Sequence, residues 1–112
     1  MKEQEKEVQV FDGGVTEEQV KRWKGQHRKV ARIEVEDDDK KHVGYFKRPS
    51  MEVMAASTKV AKTDEVKAGT ILFEGCWLGG SEYMRTDPVL FVPTMAQLNI
   101  ILTGAAASLK NV

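Results

Sequence analysis

One cysteine and two histidines are the side chains in this sequence best suited to nucleophilic or metal chemistry. Cys76 lies between Gly75 and Trp77, with neither histidine near it in the sequence. Buried cysteines without a neighbouring base are usually inert, so a structural thiol is the preferred interpretation. His27 and His42 have no cysteine or acidic ligand at metal-binding spacing around them. We therefore predict no catalytic residue, no metal site and no cofactor.

Two further motifs could in principle bind ions or phosphate. The acidic run Asp37-Asp38-Asp39 lacks the glycine and the terminal glutamate of a calcium-binding loop, which favours a solvated turn. Gly79-Gly80-Ser81 is too short to surround a phosphate and lacks the Gly-Lys-Ser/Thr ending of a phosphate loop. We interpret it as the end of a helix followed by a turn.

Basic pairs raise the alternative of nucleic-acid binding. They are Arg28-Lys29, Lys40-Lys41 and Lys47-Arg48, with Tyr45 and Phe46 close by as possible stacking side chains. Against this, acidic residues occupy the same segment, and the whole chain has 17 basic and 17 acidic residues. A molecule without net charge exerts no general attraction on nucleic acid. A small nucleic-acid-binding regulator stays open as an alternative, although nucleic acid is disfavoured as a partner.

Size and composition indicate one small globular domain. The chain has 112 residues, of which 41% are hydrophobic and 30% charged, enough for a single core. Its single cysteine cannot form an intrachain disulfide, and its charged first residues contain no apolar run typical of a signal peptide. No window approaches the ~20 apolar residues of a membrane span. We expect a protein of a reducing cytoplasm that has no membrane partner.

Local patterns predict the order of the elements. Residues 1–15 are expected to form a mobile N-terminal arm unless the domain or a partner holds its apolar end, and residues 16–112 one α+β domain. Thr16 and Gln19 form a capping-box pattern before a helix that ends near His27. Alternating residues then predict a strand over 29–36 and a second, antiparallel strand over 42–47.

The rest of the chain reads as helices that cover this hairpin. Pro49 ends the second strand and Ser50 can cap a helix rich in methionine and alanine. Thr63 or Asp64 can cap the next helix. Asp87-Pro88 is a helix-start signal, but Pro93 favours a continuous last helix that begins at Thr94. The stripe of the middle helix is Val66, Gly69, Phe73 and Trp77, and the seam of the last one is Phe91, Met95, Leu98, Leu102, Ala105 and Leu109. The predicted fold is an antiparallel β-hairpin packed against three or four α-helices.

From Arg32 to Lys110 the sequence resembles the small phage and prophage proteins known as tail assembly chaperones. Three features carry the resemblance: an aromatic-Lys-Arg-Pro-Ser segment (Phe46 to Ser50) followed by a Met/Ala helix, the segment Leu-Phe-Glu-Gly-Cys-Trp-Leu-Gly-Gly (Leu72 to Gly80), and a final helix ending in Leu-Lys. The arm and first helix have no counterpart in the family. The resemblance implies a non-enzymatic protein that keeps the tape measure protein soluble, helps to recruit tail tube protein and then leaves the particle.

Residue type and spacing suggest where such a partner would bind. Methionine is flexible enough to pack against varied sequences, and a helical client needs a modest apolar surface. The expected client-facing or self-associating residues are Met51, Met54, Phe91, Met95 and Leu98. A homo-oligomer is possible on the same surface. The alternative from another class is a structural virion component, such as a tail or connector subunit.

Overall fold

The central element of the fold is a long antiparallel hairpin. The computed structural model describes residues 8–112, in which β2 (Val30–Asp37) pairs along its whole length with β3 (Lys40–Lys47). Asp38 lies in the turn between them with a φ of 56°, a conformation that aspartate tolerates better than most residues. The predicted acidic turn and both predicted strands are therefore confirmed.

Two short strands extend the sheet on the other edge of β3. β1 (Gln9–Phe11) runs parallel to the first part of β3, and β4 (Trp77–Gly80) runs antiparallel to its later part. The α+β class is confirmed, but the sheet has four strands rather than the two of the predicted hairpin. Gly79 and Gly80 belong to β4, so the predicted glycine turn after a helix is wrong: the helix ends at Cys76.

Within residues 8–112, five helices pack around the sheet: α1 (Glu17–Gln26), α2 (Met51–Ala61), α3 (Glu65–Cys76), α4 (Tyr83–Thr86) and α5 (Pro88–Leu102). The predicted caps are confirmed. Thr16 and Gln19 form the capping box of α1, Ser50 Oγ accepts from the Val53 amide at 3.1 Å, and Asp64 accepts from the Lys67 amide at 3.0 Å.

The core lies between the sheet and the three longer helices. Ile33 and Val35 point from β2 toward it, and Phe46 does so from β3. The helices contribute Leu72, Phe73, Cys76, Met84, Leu90 and Leu98. Stacked and edge-on rings join Phe46, Phe73, Trp77 and Phe91, with centroids 5.1 to 5.4 Å apart. On the opposite face of the sheet, Trp23 of α1 covers Tyr45.

Two predicted helix faces differ from the structure. The buried face of α3 is Ala68, Leu72, Phe73 and Cys76, whereas Val66 of the predicted stripe is exposed and Trp77 begins β4. α5 ends at Leu102, so Ala105 and Leu109 of the predicted seam lie outside any helix. A repeating apolar spacing cannot show which of two adjacent stripes meets the core, nor where the helix stops.

α5 begins six residues before the predicted Thr94 and contains Pro93. Asp87 caps it by accepting from the Val89 amide at 3.0 Å, and Pro88 occupies the first turn, where no amide donor is needed. Pro93 removes the bond to the Val89 carbonyl. Because this side of the helix faces solvent, water can satisfy that carbonyl, and burial of Leu90 and Thr94 holds the helix together.

Part of the predicted arm is packed on the domain. Gln9–Phe11 is a strand of the sheet, and the Gln9 amide donates to the Asp39 carbonyl at 2.8 Å. This is the condition under which the domain was expected to hold the arm's apolar end. Residues 1–7 lie outside the described residues, and the prediction of a mobile arm stays a prediction there.

Candidate functional site

α3 and α5 leave an open apolar groove between them, which we call the α3–α5 groove. Its volume is about 700 Å³, and its lining includes Glu65, Val66, Gly69, Phe91, Val92 and Met95. The two helices run in opposite directions. Phe91 lies over Phe73 near one end, and Met95 lies beside Gly69 further along.

The floor of the groove is held in place by the core. The Phe91 ring sits 5.1 Å from the Phe73 ring, and Leu72 is buried beneath it. At Gly69 an added methyl group would lie 3.8 Å from the tip of Met95 and 4.0 Å from the tip of Phe91. The glycine therefore leaves the space of one methyl group free at the floor. Ser57 Oγ donates to the Ala68 carbonyl at 2.9 Å and thereby fastens α2 to α3 beside the groove. The floor is thus preformed rather than collapsed.

The walls of the groove are exposed valines. Val66 of α3 is 75% exposed and Val92 of α5 is 66% exposed, as large apolar side chains rarely are without a reason. α5 has no charged residue along its 15 positions and exposes Val89 and Ile100 as well. Surface helices normally carry charged residues on the side away from the core, whereas the only polar side chains that α5 exposes are the uncharged Gln97 and Asn99. The outer face of α5 therefore has the composition of an interface.

One end of the groove is closed by a fixed charged group. Arg85 of α4 makes two hydrogen bonds to the Glu74 carboxylate, at 3.1 and 2.9 Å, and another to Glu82 at 2.8 Å. Its guanidinium also lies 5.7 Å from the centre of the Trp77 ring. At the other end, Glu65 makes no ion pair with any residue of the described range. The open end of the groove therefore has a carboxylate that no cation of the described range pairs with.

The structure divides the five predicted partner-binding residues into three groups. Phe91 and Met95 line the α3–α5 groove together. Met51 is 83% exposed at the first turn of α2, and Met54 is half-buried against the core, neither of them in the groove. Leu98 is 1% exposed and belongs to the core, so it cannot contact a partner while the domain is folded. The five residues do not form one surface.

Sequence reasoning missed Val92 and underused Val66. The sequence places Val66 on the apolar stripe of the middle helix without assigning it to a partner, and Val92 belongs to no predicted surface. The signal that could have found them is the absence of charge from Pro88 to Leu102, which predicts a helix covered on every side.

The histidine and serine that could suggest catalysis lie elsewhere. His42 Nδ1 and Ser81 Oγ are 2.8 Å apart and both side chains are buried, with the Phe11 ring stacked on the imidazole at 4.9 Å. Burial lowers the pKa of His42 below its usual value. Tyr83 covers the same imidazole edge-on at 5.6 Å. We call this cluster the His42 clasp, because it fastens β1 to the sheet.

The other residues with chemical potential have structural surroundings. Cys76 is buried, and burial raises the pKa of its thiol to about 11, which leaves little thiolate at neutral pH. Among residues 8–112 no three potential ligands are grouped so that they could hold a metal ion. The longest helix described, α5, has 15 residues, and none in that range is both long and apolar enough to cross a membrane.

The alternative of nucleic-acid binding depends on two stacking side chains of the central hairpin. Tyr45 and Phe46 are both buried, so neither can stack on a base. Lys41 pairs with Glu34 at 2.9 Å, and Arg32 pairs with the same carboxylate at 2.7 Å. These two cations together lower the pKa of Glu34, with the Lys41 contact the larger cause.

Comparisons with known proteins inform the fold alone. No protein-family model matches the chain, and no curated protein matches it either. Among solved structures, the chain is similar to an uncharacterised protein from Bacillus stearothermophilus, rbstp2171, with a TM-score of 0.59 and 22% identity. The match covers 82% of this chain and 99% of that one. The arrangement of helices on a mixed sheet is thus shared with a natural protein whose role its description leaves open.

Proposed function

We propose that this protein is a non-enzymatic phage tail assembly chaperone that binds helical segments of the tape measure protein in the α3–α5 groove. The observation that carries the proposal is the uncharged helix α5, whose exposed Val92 borders an open groove with a preformed aromatic floor. The resemblance of the sequence from Arg32 to Lys110 to this family supplies the class of client.

The groove suits an amphipathic helix in size and composition. Helix-in-groove recognition places apolar side chains three or four positions apart into a hydrophobic channel. Phe91 offers a rigid floor, while Met95 can change its shape to fit different side chains. A tape measure protein presents many such helical stretches, so a chaperone for it needs this tolerance rather than one exact fit.

A chaperone of this kind acts at one stage of tail assembly and in one compartment. It would act in the cytoplasm of the bacterial host, hold the tape measure protein soluble and help tail tube protein to assemble around it. It would then be absent from the finished particle. A structural tail or connector subunit would instead stay in the particle at a fixed number of copies.

A pull-down from cells that produce the phage tests this proposal. We expect a tagged chain to recover the tape measure protein, and mass spectrometry of purified particles to lack this chain. Recovery of the chain in mature particles would favour the structural subunit. Recovery of nucleic acid, with binding that falls steeply as salt is added, would favour the regulator.

Groove variants make the pull-down specific. Val66→Ser and Val92→Ser each remove an exposed apolar wall, and each is expected to weaken client binding about tenfold. Val10→Ser is the matched control, because it changes another exposed valine, on β1 and away from the groove. Equal loss of the client in all three variants would show that the groove is not the binding site.

A further inference from the structure

The segment after α5 has the composition of a helix but is not one. Residues 105–110 read Ala-Ala-Ala-Ser-Leu-Lys, and alanine has the highest helix propensity. In the structure, residues 104–112 belong to no helix or strand, and Leu109 is 95% exposed. Short helices are marginal in water unless an apolar face packs on something. This segment therefore lacks a surface to fold on.

The spacing of α5 continues into that segment. Leu98 and Leu102 are followed by Ala105 and Leu109 at intervals of three and four, the period of a helix that meets another helix. Thr103 ends α5 by donating its amide to the Asn99 and Ile100 carbonyls, at 3.2 Å each. The apolar pattern thus extends about two turns beyond the helix itself.

The direction of the chain after α5 favours a groove on another molecule. A chain that reverses at a helix end usually does so through a glycine with positive φ. Gly104 does not have a positive φ, unlike Gly13, Gly14 and Gly80. The segment therefore continues away from α5, and entry into its own groove would need a sharp reversal within Thr103 and Gly104. A second molecule needs no such reversal.

Charge complements the fit. Lys110 is the one charged side chain from 103 to 112 and follows Leu109 directly. In the groove, Glu65 adjoins Val66 at the open end and makes no ion pair within the described range, whereas Arg85 at the other end is already held by Glu74. Placing Leu109 between Val66 and Met95 would bring Lys110 beside Glu65.

We propose that residues 105–110 of one copy fold as a helical turn into the α3–α5 groove of a second copy, and that two copies exchange these segments as a symmetric dimer. Exchange in both directions closes the assembly at two copies. The segment occupies the groove that the proposed function assigns to the client, so a client helix would have to displace it. The dimer itself does not depend on the client's identity.

Light scattering on the purified chain measures this dimer without any client. The full chain is expected to be dimeric, and Leu109→Asp to raise the dimer dissociation constant at least about tenfold. Asn111→Asp is the matched control, with the same charge on an exposed position just outside the 105–110 segment. Both sites are exposed, so neither change should affect folding. A monomeric full chain, or a dimer that Leu109→Asp leaves intact, would overturn the proposal.

A mixed crosslinking experiment tests where the segment binds. Chains carrying Leu109→Cys are mixed with chains carrying Val66→Cys, and a mild oxidant is added. The native Cys76 is buried and should not react. We expect a disulfide between the two kinds of chain, because the segment of one copy lies in the groove of the other. Absence of this mixed product, with each variant still dimeric, would overturn the assignment of the groove. Success or failure here leaves the client pull-down to be judged separately.

Discussion

The His42 clasp and the α3–α5 groove lie on either side of α4, and they handle exposed chain in opposite ways. Tyr83 and Asp87 border the clasp, whereas Arg85 and Thr86 border the groove. In the clasp, the chain itself supplies the missing partner: Phe11 of β1 covers His42 and completes the sheet edge. In the groove no segment among residues 8–112 does so.

The clasp buries and satisfies its polar groups, whereas the groove leaves apolar side chains exposed. In the clasp, ring stacking and the bond from His42 to Ser81 satisfy groups that would otherwise be costly to bury. Around the groove, Val66 and Val92 remain in water, so their side chains contribute little burial free energy to folding. The His42–Ser81 pair lies buried under Phe11 and Tyr83, which are the surroundings of a structural contact. The plain apolar residues form the candidate binding surface.

The largest loss of stability is expected at Gly13, two residues after the clasp residue Phe11. Gly13 packs so closely on the Gly80 carbonyl that a Cβ atom there would overlap the oxygen, and its φ is 66°. Gly13→Ala should cost about 3 kcal/mol or more, because the strand must detach or the backbone must shift. Urea unfolding followed by tryptophan fluorescence measures this loss.

Gly14→Ala is the control for that variant. Its φ of 76° is equally unfavourable for alanine, but open space surrounds it. We expect a loss of about 1 to 2 kcal/mol, which is the cost of the dihedral angle alone. If both variants lose the same stability, the close approach of Gly13 to β4 adds nothing to the cost of an alanine there.

A smaller effect is expected from removing the ring that closes the clasp. Phe11 is half-buried between His42 and Tyr83, so Phe11→Ala should cost about 2 kcal/mol, less than for a fully buried phenylalanine. Val10→Ala on the same strand, where the side chain is exposed, should cost less than about 0.5 kcal/mol. Equal effects would mean that β1 is held by its backbone alone.

The clasp should also respond to pH. The pKa of His42 is lowered in the folded state, chiefly by burial and also by Lys40, although Asp37 and Asp87 oppose the shift. The unfolded chain then binds a proton more readily, so the contribution is complete above pH ~6.5 and is lost as the pH falls through the folded pKa. The slope cannot exceed about 1.4 kcal/mol per pH unit.

Unfolding measured from pH 7.5 to 5 in the original chain and in His42→Gln isolates this contribution. Subtracting the two curves removes the other titrating groups, and the difference should favour the original chain increasingly as the pH rises. A difference that is flat with pH would show that His42 titrates alike in both states.

The smallest effect on stability is expected at the groove. Val66→Ser and Val92→Ser change exposed side chains and should alter the free energy of unfolding by no more than about 0.5 kcal/mol. Chemical denaturation checks this directly. A loss above about 1.5 kcal/mol would mean that these valines support the fold, and the weaker client binding of these variants would then need no groove.

The sequence predicted what local patterns determine. The caps at Thr16, Ser50 and Asp64 and the central hairpin follow from neighbouring residues, and the structure contains all of them. β1 and β4 have no such signal, since they are three and four residues long and exist only because β3 lies beside them. Strands this short hold too few residues to show a period, and their pairing partners are distant in sequence.

The candidate site was predictable only in part, for a related reason. Spacing placed Phe91, Met95 and Leu98 on one helix face, but the core takes Leu98 and leaves Phe91 and Met95 to the groove. Which side of an uncharged helix faces the core depends on how the other helices pack, and one helix's sequence does not contain that information.

Amide NMR mapping tests the central claim most directly. An isotope-labelled chain would be titrated with helical peptides from the tape measure protein recovered in the pull-down. Binding in the α3–α5 groove predicts shift changes concentrated at Val66, Gly69, Phe91 and Met95, with β1 and the His42 clasp unchanged. Changes confined to the clasp or the outer edge of β2, or saturating binding that leaves the groove amides unmoved, would contradict it.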